Sequence, residues 1–339
     1  MGASPGVLRF LSTESFDAAL NLATEELLAG ADDGADVVML WRNDPVVVVG
    51  RHQNTELQVD RAYCAEQGIM VVRRLSGGGA VYHDRGTLCF TVITRGVDRR
   101  APDFSHFARP VICALARLGV AAELSGRNDL TLAGRKFSGL AQYRRGSTLM
   151  QHGALLFDTD LSVLGRALRP KRRQLDLTGE RPGVASHASR VTNLSEHLTV
   201  SFEEFRATLA ACFAEGGDVE ERPLSADELS CAAALADERY RRDTWNWAAS
   251  PCYDLQAEAL TSAGTVLLCV ALDPARHIEA ARLYGDYFER EPVGQLEERL
   301  RGLTPDQAAE RAPQMEASRF IAGLNDQDLT ALIGALEPV

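Results

Sequence analysis

The chain has 339 residues, 45% hydrophobic and 24% charged, with a net charge of −11. This is the composition of an ordinary folded protein with a sizeable core, and its acidity argues against a nucleic-acid binder, which normally shows a basic balance or stripe. No apolar run is long enough to span a bilayer, no secretory signal is read at the N-terminus, and seven scattered cysteines without a Cys-x-x-Cys pair point to buried thiols in a reducing cytoplasm.

The length suggests two domains, or one large domain with an appendage. Residues 251–339 hold 15 Asp/Glu against 7 Arg, a net of −8, which marks a distinct C-terminal unit. We therefore expect domains at 1–250 and 255–339.

In chain order, residues 15–29 predict an amphipathic helix, with Phe16, Leu20, Ala23 and Leu27 as its face, Ser15 as cap and Gly30 as stop. Val37–Trp41 and Val46–Gly50 read as adjacent strands joined by a turn. A helix over Asp60–Gln67 leads to a strand at Ile69. There Arg73-Arg74-Leu75-Ser76 runs into Gly77, Gly78 and Gly79, and Ala80–His83 extends again. The residues leave two readings open: a cradle in which backbone N–H groups hold an anion beside Arg74, or a tight hairpin tip. A second hairpin is expected at Asp84-Arg85-Gly86, before a strand over Thr87–Ile93.

Phe104–Leu118 predicts a helix. Asp129–Leu132 and Arg135–Ser138 predict a hairpin, with Lys136 and Ser138 on one face by alternation. A strand over Leu149–Phe157 and a helix over Leu161–Leu168 follow, then a polar, Gly/Pro-interrupted loop over 171–190. Helices are expected at Phe202–Phe213 and Asp227–Arg242, with a junction at Trp245–Pro251. The C-terminal unit predicts a strand at Thr265–Leu272, an extended segment at Ile278–Phe288, helices at Gln295–Leu300 and Asp306–Arg311, and a helix pair at Arg319–Leu336 broken at Gly323.

Only two of the 36 basic residues are lysines, Lys136 and Lys171. In a chain that otherwise uses Arg, a retained Lys suggests a position needing a compact ammonium on a flexible stem.

Five ordered motifs then carry a family resemblance: Arg73–Asp84, Ser125–Asp129, Gly134–Gly139, His152-Gly153 and Ser189–Leu194. The chain resembles lipoate–protein ligase A over nearly its whole length. The resemblance implies an α+β fold: a large domain like biotin/lipoate ligases and class II aminoacyl-tRNA synthetase cores, with mixed sheets flanked by helices, plus a small α+β accessory domain. It implies an ATP-dependent reaction in which lipoate becomes lipoyl-AMP with release of pyrophosphate. The lipoyl group then passes to a lysine of a carrier domain, in 2-oxoacid dehydrogenase E2 subunits or the glycine cleavage H protein.

By the same resemblance, Lys136 is catalytic and contacts both the carboxylate and the α-phosphate. Arg74, Gly77, Gly78, Gly79, Ala80, Val81, Tyr82, His83, Asn128 and Asp129 hold ATP or the adenylate. Ser76, Lys136, Ser138, Gly139, His152 and Gly153 line the lipoate site, and Asp129 is the Mg²⁺ candidate. Plain structural readings stay open beside these: satisfied core histidines for His83 and His152, a turn residue for Asp129, and loop anchors for Arg190 and Asn193. Lys171-Arg172-Arg173 reads as a solvated loop face.

The chain departs from the family pattern at Thr87, Gln151 and Ala188, which bears on acyl preference, lipoate or octanoate. Two rivals remain. One is an ATP-independent octanoyl or lipoyl transferase, whose relatives use a thiol; residues 125–153 contain no cysteine. The other is a non-catalytic lipoate- or nucleotide-binding protein.

Overall fold

The computed structural model describes residues 7–31, 35–97, 104–126, 128–168, 175–176, 191–215, 217–247 and 253–339. Lys171, Arg172, Arg173, Ala188, Ser189, Arg190 and the junction 248–252 lie outside them, as does most of the loop expected at 171–190.

The strands are β1 (Leu8–Ser12), β2 (Val37–Trp41), β3 (Val46–Val49), β4 (Met70–Arg73), β5 (Val81–His83), β6 (Thr87–Thr94), β7 (Glu123–Ser125), β8 (Asp129–Leu132), β9 (Arg135–Arg145), β10 (Thr148–Leu156), β11 (Leu175–Asp176), β12 (Val219–Glu221), β13 (Leu255–Thr261), β14 (Gly264–Leu272), β15 (Ile278–Gly285) and β16 (Glu337–Pro338). They form three mixed sheets. The large one has the order β12-β1-β2-β6-β10-β9-β8-β7, and a small one has the order β4-β3-β5. In the third, β11-β13-β14-β15 run side by side and β16 adds to β13. The mixed α+β architecture is the expected one.

Three local expectations fail in the same way. β2 and β3 are not neighbours; the chain leaves the large sheet after Trp41 and enters the small one at Val46. β4 and β5 do not pair across the glycines, because β3 lies between them, parallel to β4 and antiparallel to β5. β5 and β6 also belong to different sheets, so 84–86 is a crossing and not a hairpin. Every residue of β2 and β3 is buried, so each strand is covered on both faces. Such strands carry no alternation that would reveal their partner.

The helix α1 (Ala18–Gly30) is capped by Asp17, whose Oδ1 accepts from the backbone N–H of Ala19 at 2.9 Å; Ser15 instead accepts from Asp17 N. Its fully buried stripe contains Ala18, Leu22, Glu25 and Ala29, while Phe16, Leu20 and Leu27 are half-buried. The offset arises because α1 lies between the large sheet and the Ala226–Leu235 helix, which continues as a π-helical turn over Ala236–Tyr240.

The β8–β9 hairpin forms as expected, turning through Ala133 and Gly134, both at positive φ. A register shift at Leu130/Thr131 pairs Leu130 with Ser138 and Thr131 with Lys136. Alternation does not carry across such a bulge.

The Ser105–Arg117 and Phe202–Phe213 helices cover one face of the large sheet, burying Phe90, Val111, Leu115, Phe137 and Phe205. The other face carries α1 and the small sheet. The C-terminal segment packs its own core on β13–β15, with helices Gly294–Leu300, Pro305–Arg311 and Asp326–Gly334. Gly323 (φ +87°) separates its last two helices, as expected. Phe288 of this segment is buried in the core under the large sheet, 5.4 Å from Phe104 between ring centroids.

Candidate active site

A cavity opens between the large sheet below and α1, the small sheet and the glycine turn above. Its floor is a cross-strand row in which Trp41 pairs with Cys89, Cys89 with Ala154, Ala154 with Gly139 and Gly139 with Asp129. At about 4.8 Å per strand this row runs roughly 19 Å. The Trp41 end is apolar, walled by Leu22, Trp41, Val48, Cys89 and Ala154. The other end holds Lys136, Asn128 and Gly139.

Lys136 Nζ lies 2.7 Å from Asp129 Oδ1, with both side chains more than a third exposed. Gly139 makes room for it: a Cβ there would stand 3.1 Å from Nζ. The Lys136 backbone is fixed from outside the hairpin, since its carbonyl accepts from Thr192 N at 2.9 Å. Asn193, beside it, bonds both backbone groups of Thr159.

Of the expected site residues, Arg74, Gly78, Gly79, Ala80, Val81, His83, Asn128, Lys136, Gly139, His152 and Gly153 line the cavity. Asp129 joins through Lys136. Ser76 and Gly77 stand behind the wall. Tyr82 is buried on the far side of β5 with Val47, Val49 and Tyr63, so only its backbone belongs to this region. Ser138 does not line the cavity; it is 1% exposed and its hydroxyl has no partner among the described residues. The register shift removes it from the face of Lys136.

Arg74 is fully buried and braces the turn rather than standing open. Its Nε donates to Ser76 Oγ (2.9 Å), NH1 to Val48 O (3.2 Å), and NH2 to Gly77 O (2.7 Å) and Gly79 O (2.9 Å). Burial, with help from Arg73, lowers its pKa to about 10, so it stays charged at neutral pH. Gly77 has a second use, because a Cβ there would fall 2.2 Å from the Tyr287 carbonyl oxygen. Gly78 (φ +91°) donates its N–H to that same oxygen at 3.3 Å. The turn is therefore neither a hairpin tip nor a set of wholly free N–H groups; residues 285–288 sit against it.

Two hydrogen-bonded chains fix the cavity histidines. His152 Nδ1 donates to Glu25 Oε1 (2.8 Å), which also accepts from Thr91 Oγ1 (2.5 Å), itself an acceptor from Trp41 Nε1 (2.9 Å). His152 Nε2 meets Ser76 Oγ at 2.6 Å. His83 Nδ1 lies 3.1 Å from Asn43 Nδ2 and 3.5 Å from Cys89 Sγ. Burial, then Arg74 and His152, push its pKa down to about 3, so it is neutral.

Sequence reasoning missed Glu25, Trp41, Asn43 and Cys89. Glu25 could be suspected only as a carboxylate on the core side of a helix whose face is misassigned without the tertiary partner. Cys89 lies outside 125–153 and reaches the cavity by cross-strand pairing. Its thiol is pushed well up by burial and Glu25, hence protonated, and it stands two strands from Gly139. Thr87 and Gln151, where the sequence departs from the family pattern, are buried but do not line the cavity. Among the described residues, the only three-residue group able to share a metal ion is Cys113, Cys212 and Glu215, whose cysteines lie on the Ser105–Arg117 and Phe202–Phe213 helices.

The family model for the lipoyl protein ligase A/B catalytic domain matches residues 17–214. The chain is 34% identical over 325 residues to lipoate-protein ligase LplJ of Bacillus subtilis (strain 168), covering 94% of this chain and 97% of the relative. It is similar to a bipartite lipoate protein ligase solved with its E2 lipoyl domain from Thermoplasma acidophilum, with 28% identity and a TM-score of 0.63, covering 73% of this chain and 98% of that one. A lipoate-protein ligase A bound with ATP is similar at 29% identity and a TM-score of 0.60, covering 72% and 99%.

Proposed function

The chain belongs to the lipoate–protein ligase family, and from that premise we propose that it activates lipoate with ATP and transfers the lipoyl group to a lysine of a carrier domain. The observation that carries this reading is the polarity of the cavity. One end is apolar and bounded by Trp41; the other, three strands and about 14 Å away across the sheet, presents a lysine in a chain with only two.

In the first step a carboxylate oxygen of lipoate attacks the α-phosphorus of ATP. The bond to the bridging oxygen breaks and pyrophosphate leaves. Lys136 Nζ, a point cation with three donors, bridges the two oxygens that carry charge. In the second step the carrier amine attacks the acyl carbon, the carbon–oxygen bond to phosphate breaks, AMP leaves, and the amine proton passes to solvent. Gly78–Val81 and Asn128 line the adenylate, and Arg74 keeps the turn in shape by holding its carbonyls. His152 and Gly153 flank the acyl chain.

Mg²⁺ takes one or two carboxylates plus phosphate oxygens and waters, and Asp129, beside Lys136, would supply one such carboxylate. When bound, the ion neutralises charge on the triphosphate.

The acceptors are lipoyl domains of E2 subunits, the partner solved with the Thermoplasma ligase, and the H protein of glycine cleavage. We place the division between catalytic and accessory units at 250/255. We also expect adenylate formation to move the accessory unit, because residues 285–288 lie against the turn that would frame it. No helix among the described residues is long and apolar enough to cross a membrane. The six described cysteines are free thiols, in keeping with a reducing cytoplasm.

The transferase reading requires a thiolate at the carboxyl end of the chain. Cys89 is protonated and lies toward the opposite end. The test is mass spectrometry of lipoyl-AMP and of a lipoylated carrier domain, with and without Mg-ATP. Product formed equally well without ATP would assign the chain to the transferases; no lipoyl-AMP with ATP would reject the ligase reading.

A further inference from the structure

We propose that His83 presents a fixed Nε2–H donor to the far end of the acyl chain. This donor would favour a chain bearing lone pairs there, such as the 1,2-dithiolane of lipoate, over a plain alkyl chain of equal length. The inference rests on the ligase reading for the identity of the acyl chain, and it assigns His83 to the acyl end, not to the nucleotide.

The proton position on His83 is set by two buried amides, Asn21 and Asn43. Asn21 Nδ2 faces two backbone carbonyls, Ser15 O at 3.0 Å and Arg42 O at 2.9 Å. Carbonyls accept only, so the nitrogen of this amide must be on that side. Its Oδ1 then faces Thr13 Oγ1 at 3.1 Å. The same Nδ2 lies 3.0 Å from Asn43 Oδ1, which leaves Asn43 Nδ2 pointing at His83 Nδ1, 3.1 Å away. Asn21 and Asn43 are 0% exposed, so no solvent reorients them.

An amide nitrogen donates, so His83 Nδ1 accepts. The Cys89 thiol, 3.5 Å from Nδ1 and protonated, agrees with that role. A neutral imidazole accepting at Nδ1 carries its proton on Nε2. That Nε2 is buried and has no partner among the described residues.

His83 is 4% exposed and lines the cavity beside Trp41, whose ring stands edge-on at 6.3 Å between centroids. The neighbouring walls are Leu22, Val48 and Ala154. The other cavity histidine has both ring nitrogens engaged, by Glu25 and Ser76. A buried polar group without a partner selects for the ligand atom that satisfies it. Sulfur is a weak acceptor, so the expected preference is modest, about tenfold.

The test uses the full chain without ATP, titrated with lipoate and with octanoate by calorimetry, and with ¹⁵N-histidine labelling read by NMR. The informative variant is Asn43→Asp. It still accepts from Asn21, but it now accepts from His83 Nδ1–H as well and moves the proton off Nε2.

We expect the wild type to carry its His83 proton on Nε2, and that resonance to shift with lipoate but not with octanoate. The lipoate-to-octanoate affinity ratio should fall from about ten to within about twofold in Asn43→Asp. A proton found on Nδ1, a resonance unmoved by lipoate, or a ratio retained in the folded variant would overturn the assignment. Should Asn43→Asp not fold, the wild-type spectra alone decide. Lipoyl-AMP formation is assayed separately, so failure of the ligase reading is told apart from failure of this one.

Discussion

Lys136 and Asp129 form a half-exposed ion pair, and such pairs contribute at most about 1 kcal/mol to stability. Lys136→Arg should therefore leave the melting temperature within a few degrees of wild type. It should still lower pyrophosphate release by about 10²–10³-fold, as loss of a preorganised donor does; a variant keeping most of its rate would remove Lys136 from the chemistry. His52 and His83 set a second expectation. His83 is buried and His52 nearly so, and both pKa values fall to about 3, below the ordinary 6.5. His52 is held down by burial, then by Arg51 and Arg73, so its 3.6 Å approach to Glu289 is a contact of a neutral ring and not an ion pair. Groups that stay neutral when folded take up protons on unfolding in acid. Their stabilisation is complete above pH 6.5 and is lost as pH falls toward 3, by about 1.4 kcal/mol per pH unit for each histidine. Urea melts at pH 7, 6 and 5 should show this slope, and His52→Leu should remove about half of it. Thr87, the most conspicuous departure from the family pattern, bonds Thr159 Oγ1 at 2.8 Å inside the core, so its effect is on packing and not on the ligand.

The glycine turn serves two neighbours at once, and its three residues separate them. Gly77→Ala places a methyl 2.2 Å from the Tyr287 carbonyl oxygen, a backbone atom that cannot step aside cheaply. It should cost about 1–3 kcal/mol and loosen residues 285–288, read as faster proteolysis of the C-terminal segment. Gly79→Ala meets nothing closer than 4.0 Å, the Asp286 Cβ. It should leave the fold intact, so a raised KM for ATP in this variant reports ligand approach to the turn; an unchanged KM would place the nucleotide elsewhere. Gly153 works on the opposite face, since a Cβ there would stand 2.7 Å from Leu140 Cδ2 and Phe90 Cε1. Its role is to let β10 close on that core, although its backbone borders the cavity.

At the scale of the molecule, the C-terminal segment is held by a short set of contacts. Gly285 N donates to His52 O at 2.7 Å, the Tyr287 ring stacks on His52 at 4.8 Å, and Phe288 enters the core beside Phe104. A latch of this size can open on ligand binding. Small-angle scattering of the full chain should therefore change when lipoate and Mg-ATP are added together; identical profiles would argue against movement of the accessory unit.

The features legible along the chain are local and ordered: the amphipathic helices, the Ala133-Gly134 hairpin, the helix break at Gly323, the rare lysine at 136 and the family motifs. Each is written in neighbouring residues, as periodicity, turn chemistry or spacing. Which strand lies beside which is set by packing between segments distant in the chain. Buried valines of β2 and β3 carry no mark of their sheet, and β3 comes between β4 and β5 from more than twenty residues upstream. The same holds for the site. Glu25, Trp41, Asn43 and Cys89 meet Lys136 and His83 around one cavity because cross-strand pairing and helix packing join distant segments. A tautomer set through Asn21 and Asn43 is a property of that packing, and no spacing along the chain encodes it.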